Sequence, residues 1–484
     1  MTPRRLSALV QQSLPVDPEI TGVTADSRQV RPGFLFAALP GSSVDGRAFI
    51  PAALAAGAVA ILTADAPDPA IGAVQVQTTD VRRAYALAAA AFWGAQPRVC
   101  VAVTGTNGKT SVAAFCRQIF TALGHKAASM GTLGVRAGDE QITPPGLTTP
   151  DAADVARLLA DLAGRGVTHL ALEASSHGVH QRRLDGVRLT AAGFLNLTQD
   201  HLDYHGTMGA YRAAKLRLFE DLLPRDCTAV LNADSDSLPA FAAAAAVSGH
   251  TVLSVGEHGQ SLRLVSRTPT GAGQDLVVEH LDRRYAIRLP LAGAFQASNA
   301  LVAAGLCIAA GEDVGAVLAV LGHIEGAPGR LQRVGRSAQG GEAYVDYAHT
   351  PDGLETVLTA LRPHVGGRLI VVFGAGGDRD RSKRPLMGAI AARLADVAIV
   401  TDDNPRGEAP AAIRAEIIAG ADDLTEIGDR RAAIREAAAM LGGGDVLVVA
   451  GKGHEQGQIV GGVTYAFDDV TETAAALGLE AAHV

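Results

Sequence analysis

Between Arg98 and about Arg330 short apolar runs, VCVAV, HLALEA, AAGFLNL and TAVLNA, alternate with helix-spaced stretches. Such runs, β-branched and bounded by turn residues, suit strands buried on both faces, as in a parallel sheet covered by crossover helices. The alternation resumes beyond the turn-rich EGAPGRLQ, in AYVDY, RLIVVFGAGG, VAIVTDD and VLVVAGKG. Ahead of it, FLFAAL and VAILTA are separated by Gly, Pro and Asp turns, and an alanine-rich helical pattern ends at WGAQP. The region of Pro97 reads as a linker. The expected fold class is therefore α/β in three domains: a small amino-terminal α/β domain over 1–97, a central parallel-sheet domain over 98–330, and a Rossmann-like α/β domain over 331–484. A chain of 484 residues fits that number, at roughly 150 residues per domain.

Composition narrows the function classes. Hydrophobic residues at 48% and charged residues at 19% are globular proportions. A net charge of −8 gives no general reason to expect nucleic acid, though local basic clusters can still hold small anions. The cysteines Cys100, Cys116, Cys227 and Cys307 are scattered, with no C-x-x-C pair, which suits a reducing cytosol. MTPRRLSALVQQSL is stopped by Gln11 and Gln12 too soon for a signal-peptide core, and ALAAGAVAIL is far short of a membrane span. The expected location is cytoplasmic, with no membrane or nucleic-acid partner.

VTGTNGKTS, from Val103 to Ser111, nearly spells a phosphate-binding loop, except that Val103 fills the slot of the first glycine in G-x-x-x-x-G-K-[ST]. The preceding RVCVAV reads as a buried strand. The following KTSVAAFCRQIFTALG places Val112, Cys116, Ile119 and Phe120 on one helical face. In that setting Gly105 and Gly108 free the backbone to aim N–H groups at an anion. The helix amino terminus adds its dipole, Lys109 can neutralise β- and γ-phosphate charge, and Thr110 can reach Mg²⁺. The bland alternative is an ordinary glycine turn with a solvated lysine.

TGTNGKT resembles the ATP loop of the Mur ligase and folylpolyglutamate synthetase superfamily, which does not use the first glycine. Over essentially the whole chain the sequence resembles the UDP-N-acetylmuramoyl-tripeptide synthetases, on the diaminopimelate-adding branch. The resemblance implies an ADP-forming ligase with ATP as co-substrate and Mg²⁺ as cofactor, acting in cytoplasmic peptidoglycan precursor synthesis. The substrates would be UDP-MurNAc-dipeptide and meso-diaminopimelate, bound by a monomer. The amino-terminal domain would take the UDP part, the central P-loop domain ATP, and the last domain the amino acid. ATP would lie at a domain junction.

Residue by residue, the resemblance assigns Gly105, Thr106, Asn107, Gly108, Lys109, Thr110 and Ser111 to ATP, with Asn299 in FQASNALVA, Arg330 in PGRLQ, and Asp346 and His349 in YVDYAHTPD. In LEASSHGVHQRR, Glu173 follows a strand at the ligand edge and would hold Mg²⁺ directly or through water, while Ser175, Gln181 and Arg183 resemble muramoyl-peptide contacts. Glu173 could also be a buried, structurally paired acid. The stretch NLTQDHLDYHGTMGAYRAAK packs His201, Asp203 and His205 together; histidines four apart could suggest zinc, but no third soft ligand is in view. By resemblance His201 belongs to the metal and phosphate site, and Lys215 is the lysine carried as a carbamate, a second anion for Mg²⁺. From the sequence alone Lys215 reads as a solvated helix lysine.

The amino-acid site is expected in VAIVTDDNPRG, where Asp403, Asn404, Pro405 and Arg406 follow a strand and Arg406 offers a carboxylate-matching fork. DNPR resembles the recognition element of the diaminopimelate-adding enzymes; the alternative is a capped loop with a surface arginine. Arg379 could bind another carboxylate, and Gly451 with Glu455 in GKGHE the distal ammonium. The family's D-S-R element puts Ser27 against the UDP part, with Ser42, Ser43 and Val44 in the same site. In GLTTPD, Thr148 and Thr149 match, whereas Leu147 stands where many relatives have asparagine. Rival readings are a lysine- or ornithine-adding ligase and a nucleotide-switch protein; the latter needs an N-K-x-D element, which is absent.

Overall fold

A computed structural model describes residues 2–41, 45–271 and 273–479. The chain forms two compact units, Met1–Val255 with Val302–Val314, and Gly256–Leu301 with Gly315–Val484.

In the first unit, the parallel strands Gly22–Thr24, Phe34–Ala37, Ala60–Thr63 and Val74–Gln77 lie side by side in chain order. The helix Val81–Trp93 covers them. Asp80 caps its start by accepting from the Arg83 N–H at 3.0 Å, and Val81, Tyr85, Ala89 and Phe92, spaced by three and four, are buried. The stretch read as a linker is ordered: Pro97 is buried and the Gln96 amide donates to the Arg188 carbonyl at 2.9 Å.

Six further strands of this unit pair in parallel in the order Ala127–Gly131, His169–Glu173, Val99–Thr104, Ala191–Phe194, Thr228–Asn232 and Thr251–Gly256. Antiparallel strands Gly134–Ala137 and Glu140–Thr143 extend the edge. Val99–Thr104 is first in sequence yet central in space, so strand order reverses on either side of it. The loop leaving its carboxyl end opens at that switch point, where open α/β sheets bind ligands. Every residue of Val99–Thr104 is buried, as a strand covered on both faces requires. Val112, Cys116, Ile119 and Phe120 are fully buried, as their spacing predicts. The helix Lys109–Ala122 is enclosed more widely than one face, with Thr110 through Arg117 also buried. The cause is a second covering layer: Cys116 Sγ donates to the Ala303 carbonyl at 3.7 Å. Truncating a fully buried leucine of this core, such as Leu231, to alanine is expected to cost about 2–5 kcal/mol.

The second unit contains a sheet in the order Gln332–Arg336, Glu342–Asp346, Val446–Ala450, Leu369–Phe373, Val397–Val400 and Thr425–Glu426. All pairs are parallel except the first. It also carries an antiparallel meander, Leu262–Pro269, Gln274–His280 and Arg283–Leu289, where a continuation of strand and crossover helix was expected. Leu262, Leu264, Leu276, Val278, Ile287 and Leu289 are its buried, alternating positions. Two arginines of this unit are fully buried. Arg384 lies between Glu408 and Glu416, each at 2.8 Å, and Arg430 meets Asp469 at 2.7 Å. Among the described residues no helix is long and apolar enough to cross a membrane.

Candidate active site

The loop Gly105–Gly108 is held open from one side. The Asn196 side chain accepts from the Asn107 N–H at 2.9 Å and donates back to the Asn107 carbonyl at 3.2 Å, while Thr106 N–H donates to the Asn196 carbonyl. Gly108 sits at φ 90°, a left-handed conformation suited to glycine, and starts the helix at Lys109. Lys109 Nζ donates to the Gly105 and Thr106 carbonyls, both at 2.8 Å, so the ammonium lies across the mouth of the loop.

Glu173, at the carboxyl end of its strand, is 3% exposed. Its Oε2 accepts from Thr110 Oγ1 at 3.0 Å and from Thr132 Oγ1 at 3.3 Å; its Oε1 accepts from the Thr132 N–H at 2.8 Å. Gly131 makes room for it, since a Cβ there would collide with Oε1. Lys215 is 1% exposed and donates to the Gly105 carbonyl at 2.7 Å, with Nζ 4.5 Å from the centre of the Tyr211 ring. Burial, reinforced by Lys109, holds its pKa well below the usual lysine range. The reading as a solvated lysine is therefore overturned for this residue: its amine is buried under the loop. Tyr211 OH meets Thr106 Oγ1 at 3.1 Å and ties the helix Met208–Arg217, which carries Lys215, to the loop.

His201, at φ 52°, is half-exposed and pairs with Asp200 at 3.4 Å, its ring 4.8 Å from that of His177. Its ring lies 6.2 Å from that of Tyr211, which reaches the loop through Thr106. Thr148, Thr149, Ser175, Gln181 and Arg183 join into one network running from Glu173. Thr148 Oγ1 meets Thr132 Oγ1 at 3.0 Å; Thr149 Oγ1 donates to the Glu173 carbonyl at 2.9 Å and receives the Ser175 N–H at 3.1 Å. Arg183 donates to the Thr149 carbonyl at 2.6 Å and to Gln181 at 2.8 Å. Leu147 is 66% exposed. Ser27 lines an open cavity of about 1110 Å³ with Thr24, Asp26, Tyr85, Asp151 and Arg157, and Tyr85 OH donates to Asp151 at 2.5 Å. Ser42, Ser43 and Val44 lie outside the described residues.

The second unit gathers two patches at the carboxyl edge of its sheet. In one, Asn299 donates to Gln296 at 3.2 Å, Gln296 donates to the Arg330 carbonyl at 3.1 Å, and Arg330 stacks 4.7 Å from the Tyr347 ring. Asp346 accepts from the Leu331 and Ala348 N–H groups at 2.6 and 2.7 Å; burial pushes its carboxyl up to about 6. His349 Nδ1 meets the Tyr347 carbonyl at 2.8 Å.

In the other patch, the fully buried Lys452 donates to Asn404 Oδ1 at 3.0 Å and to Glu455 at 3.3 Å, and lies 3.8 Å from Asp403. Asn404 in turn donates to Glu455 at 2.8 Å. Gly451 packs where a Cβ would come 2.9 Å from Asp403 Oδ2. Pro405 leads into Arg406, which is pinned at φ 51° by bonds of its N–H and carbonyl to Ile459 and Gly461, and Nη1 donates to the Gly377 carbonyl at 2.9 Å. Arg379 is exposed and reaches the Asp378 carbonyl at 3.4 Å, so it is not drawn into this network. Thr132, Asn196, Tyr211 and Lys452 are contributors that the sequence reading did not single out. Asn196 and Lys452 each had a signal, standing next to a strand end and between the named residues of GKGHE.

A phosphate loop at a switch point, a carboxylate and a buried amine against it, and a separate anion-receptive turn define a nucleotide-using enzyme that joins a second, polar substrate. Three family models match in turn: "Mur ligase family, catalytic domain" over residues 19–93, "Mur ligase middle domain" over 103–307, and "Mur ligase, glutamate ligase domain" over 329–453. The chain belongs to the Mur ligase family. It is 70% identical to the UDP-N-acetylmuramoyl-L-alanyl-D-glutamate--2,6-diaminopimelate ligase of Caulobacter vibrioides, over 98% of this chain and 99% of that one. Identity to the same-named protein of Bradyrhizobium diazoefficiens is 54%, over 95% of each. A solved structure carrying that name superposes with a TM-score of 0.76 at 34% identity, covering 99% of both chains.

Proposed function

We propose that this chain is an ATP-dependent ligase that adds meso-diaminopimelate to the D-Glu of UDP-MurNAc-L-Ala-D-Glu, in cytoplasmic peptidoglycan precursor synthesis. The observation that carries the reading is the phosphate loop held against both Glu173 and the buried Lys215. The γ-carboxylate of D-Glu attacks the γ-phosphorus of ATP, giving an acyl phosphate and ADP. The amine of the incoming amino acid then attacks that carbonyl, loses a proton, and expels phosphate. The protein's part is positioning and charge neutralisation.

Gly105–Ser111 cradle the phosphates, with Lys109 on the β- and γ-oxygens; Asn299, Arg330, Asp346 and His349 serve the nucleotide. Ser27, with Ser42, Ser43 and Val44, takes the UDP part. Thr148, Thr149, Ser175, Gln181 and Arg183 take the muramoyl peptide. Asp403–Arg406, Arg379, Gly451 and Glu455 take the amino acid, over a division of the chain at 1–97, 98–330 and 331–484.

Mg²⁺ fits the residues present: Glu173 and Thr110 offer hard oxygen donors, and Lys215 has the suppressed basicity that carbamate formation from CO₂ needs. Thr110, Glu173, His201 and carbamylated Lys215 would hold it, and bound Mg²⁺ would offset charge on the transferring phosphoryl group. Phosphate release with the UDP-muramoyl dipeptide and a panel of diamino acids tests the assignment. Release that depends on meso-diaminopimelate supports it; release with lysine or ornithine in its place moves the chain to another branch.

A further inference from the structure

At the far ends of the elements that carry the phosphate site, two imidazoles and a carboxylate converge. His125 follows the helix Lys109–Ala122, His169 opens the strand that ends at Glu173, and Glu312 lies in the segment Val302–Val314 of the same unit. The helix has 14 residues, which at 1.5 Å per residue puts this corner about 20 Å from the loop.

His125 Nε2 is 2.8 Å from Glu312 Oε1, and His169 Nε2 is 3.7 Å from the same oxygen. One ligand atom from each of the three residues lies within 4.8 Å of the others, a grouping found nowhere else among the described residues. An ion pair alone accounts for His125 with Glu312. The buried His169 stacks its ring 3.9 Å from that of His125 and aims Nε2 at the same oxygen from beyond hydrogen-bond reach. We propose that His125, His169 and Glu312 form a binding site for one divalent transition-metal ion of the Zn²⁺ type.

Two supports are independent of the cluster's composition. Ligands at 2.0–2.2 Å around a tetrahedral ion stand about 3.4 Å apart, and the separations of 2.8 and 3.7 Å from Glu312 Oε1 straddle that spacing. The second nitrogen of His169 is engaged, Nδ1 meeting Thr168 Oγ1 at 2.9 Å, and Phe120 backs the ring at 4.7 Å, the outer-shell support that orients a metal-bound histidine. Two nitrogens and one carboxylate favour Zn²⁺, Co²⁺ or Ni²⁺ over Mg²⁺, which separates this corner from the phosphate site.

The test titrates chelator-treated full-length protein with Co²⁺ in excess Mg²⁺, reading the visible absorption of the bound ion and the thermal midpoint. One equivalent should bind with a saturable absorption and a raised midpoint. His125→Ala and Glu312→Gln, at partly exposed positions, should keep the fold and each weaken Co²⁺ binding at least tenfold. His205→Ala, in the other histidine-rich region, should leave it unchanged. Absence of a saturable signal in the wild type, equal binding in the first two variants, or loss of binding in His205→Ala would each overturn the proposal.

Discussion

Lys109 and Lys215 donate to one and the same acceptor, the Gly105 carbonyl, at 2.8 and 2.7 Å. Burial of Lys215, reinforced by the neighbouring Lys109, holds its amine well below the usual lysine range. One carbonyl of the loop thus gathers two lysines in different settings, Lys109 partly exposed and Lys215 enclosed. Lys215→Ala is expected to be nearly inactive and partly rescued by a small added carboxylate that fills the vacated carbamate position. Full activity in this variant would end the carbamate assignment.

Lys109→Ala should abolish acyl-phosphate formation while UDP-substrate binding stays nearly intact. Loss of this charge stabilisation is expected to raise the barrier by ~3 kcal/mol or more. Near-normal turnover in a phosphate-release assay would contradict it.

Gly131→Ala tests Glu173 without touching it. The added methyl displaces the carboxylate from Thr110 and Thr132, and misplacement of a catalytic group by an ångström costs about 100-fold in rate. Turnover should fall by that order with the circular dichroism spectrum unchanged; wild-type turnover would detach Glu173 from the reaction.

For Arg406, the fork is pre-aimed by its bond to the Gly377 carbonyl and by the strand-like clasp of Ile459 and Gly461. Arg406→Ala should weaken diaminopimelate by ~2–4 kcal/mol and lysine little. The check is the ratio of kcat/KM for the two amino acids; a ratio that does not move towards lysine removes DNPR as the specificity element.

His454 gives a pH dependence of known sign. Its imidazole, near Tyr347, is lowered from 6.5 to about 4, chiefly by burial and then by Arg330, with Glu455 opposing. Between those values the unfolded chain binds the proton and the folded chain does not, so stability rises with pH across that window and is lost on acidification through it. Denaturant unfolding from pH 4 to 7 should show a shallower slope in His454→Gln than in wild type.

The contrast between these residues explains what the sequence could convey. The loop was legible because strand, glycines and Lys109 are contiguous, and the turn at DNPR because it comes two residues after a strand. Lys215 and Lys452 look like surface lysines in one dimension; only tertiary packing encloses them, and the family resemblance alone flagged Lys215. Thr132 serves Glu173 from the neighbouring strand's end, a juxtaposition that no local spacing encodes. The meander from Leu262 to Leu289 carried its period-two pattern openly, but arginines and glutamates on its outer face diluted the apolar signal.

The Arg430–Asp469 pair gives the helix Asp469–Ala476 a hold over the turns around Asp403 and Gly451. Arg430 also braces the Ala450 and Asp402 carbonyls, one residue before Gly451 and Asp403. The carboxylate that hydrogen-bonds it sits on Asp469–Ala476, the last helix described. During synthesis the turns at Asp403 and Gly451 therefore stay unbraced until the helix that Asp469 opens has left the ribosome and packed against them. A chain stopped short of Asp469 would strand a buried guanidinium, at a cost of about 3–5 kcal/mol, and would falter in amino-acid capture while its phosphate loop remained whole.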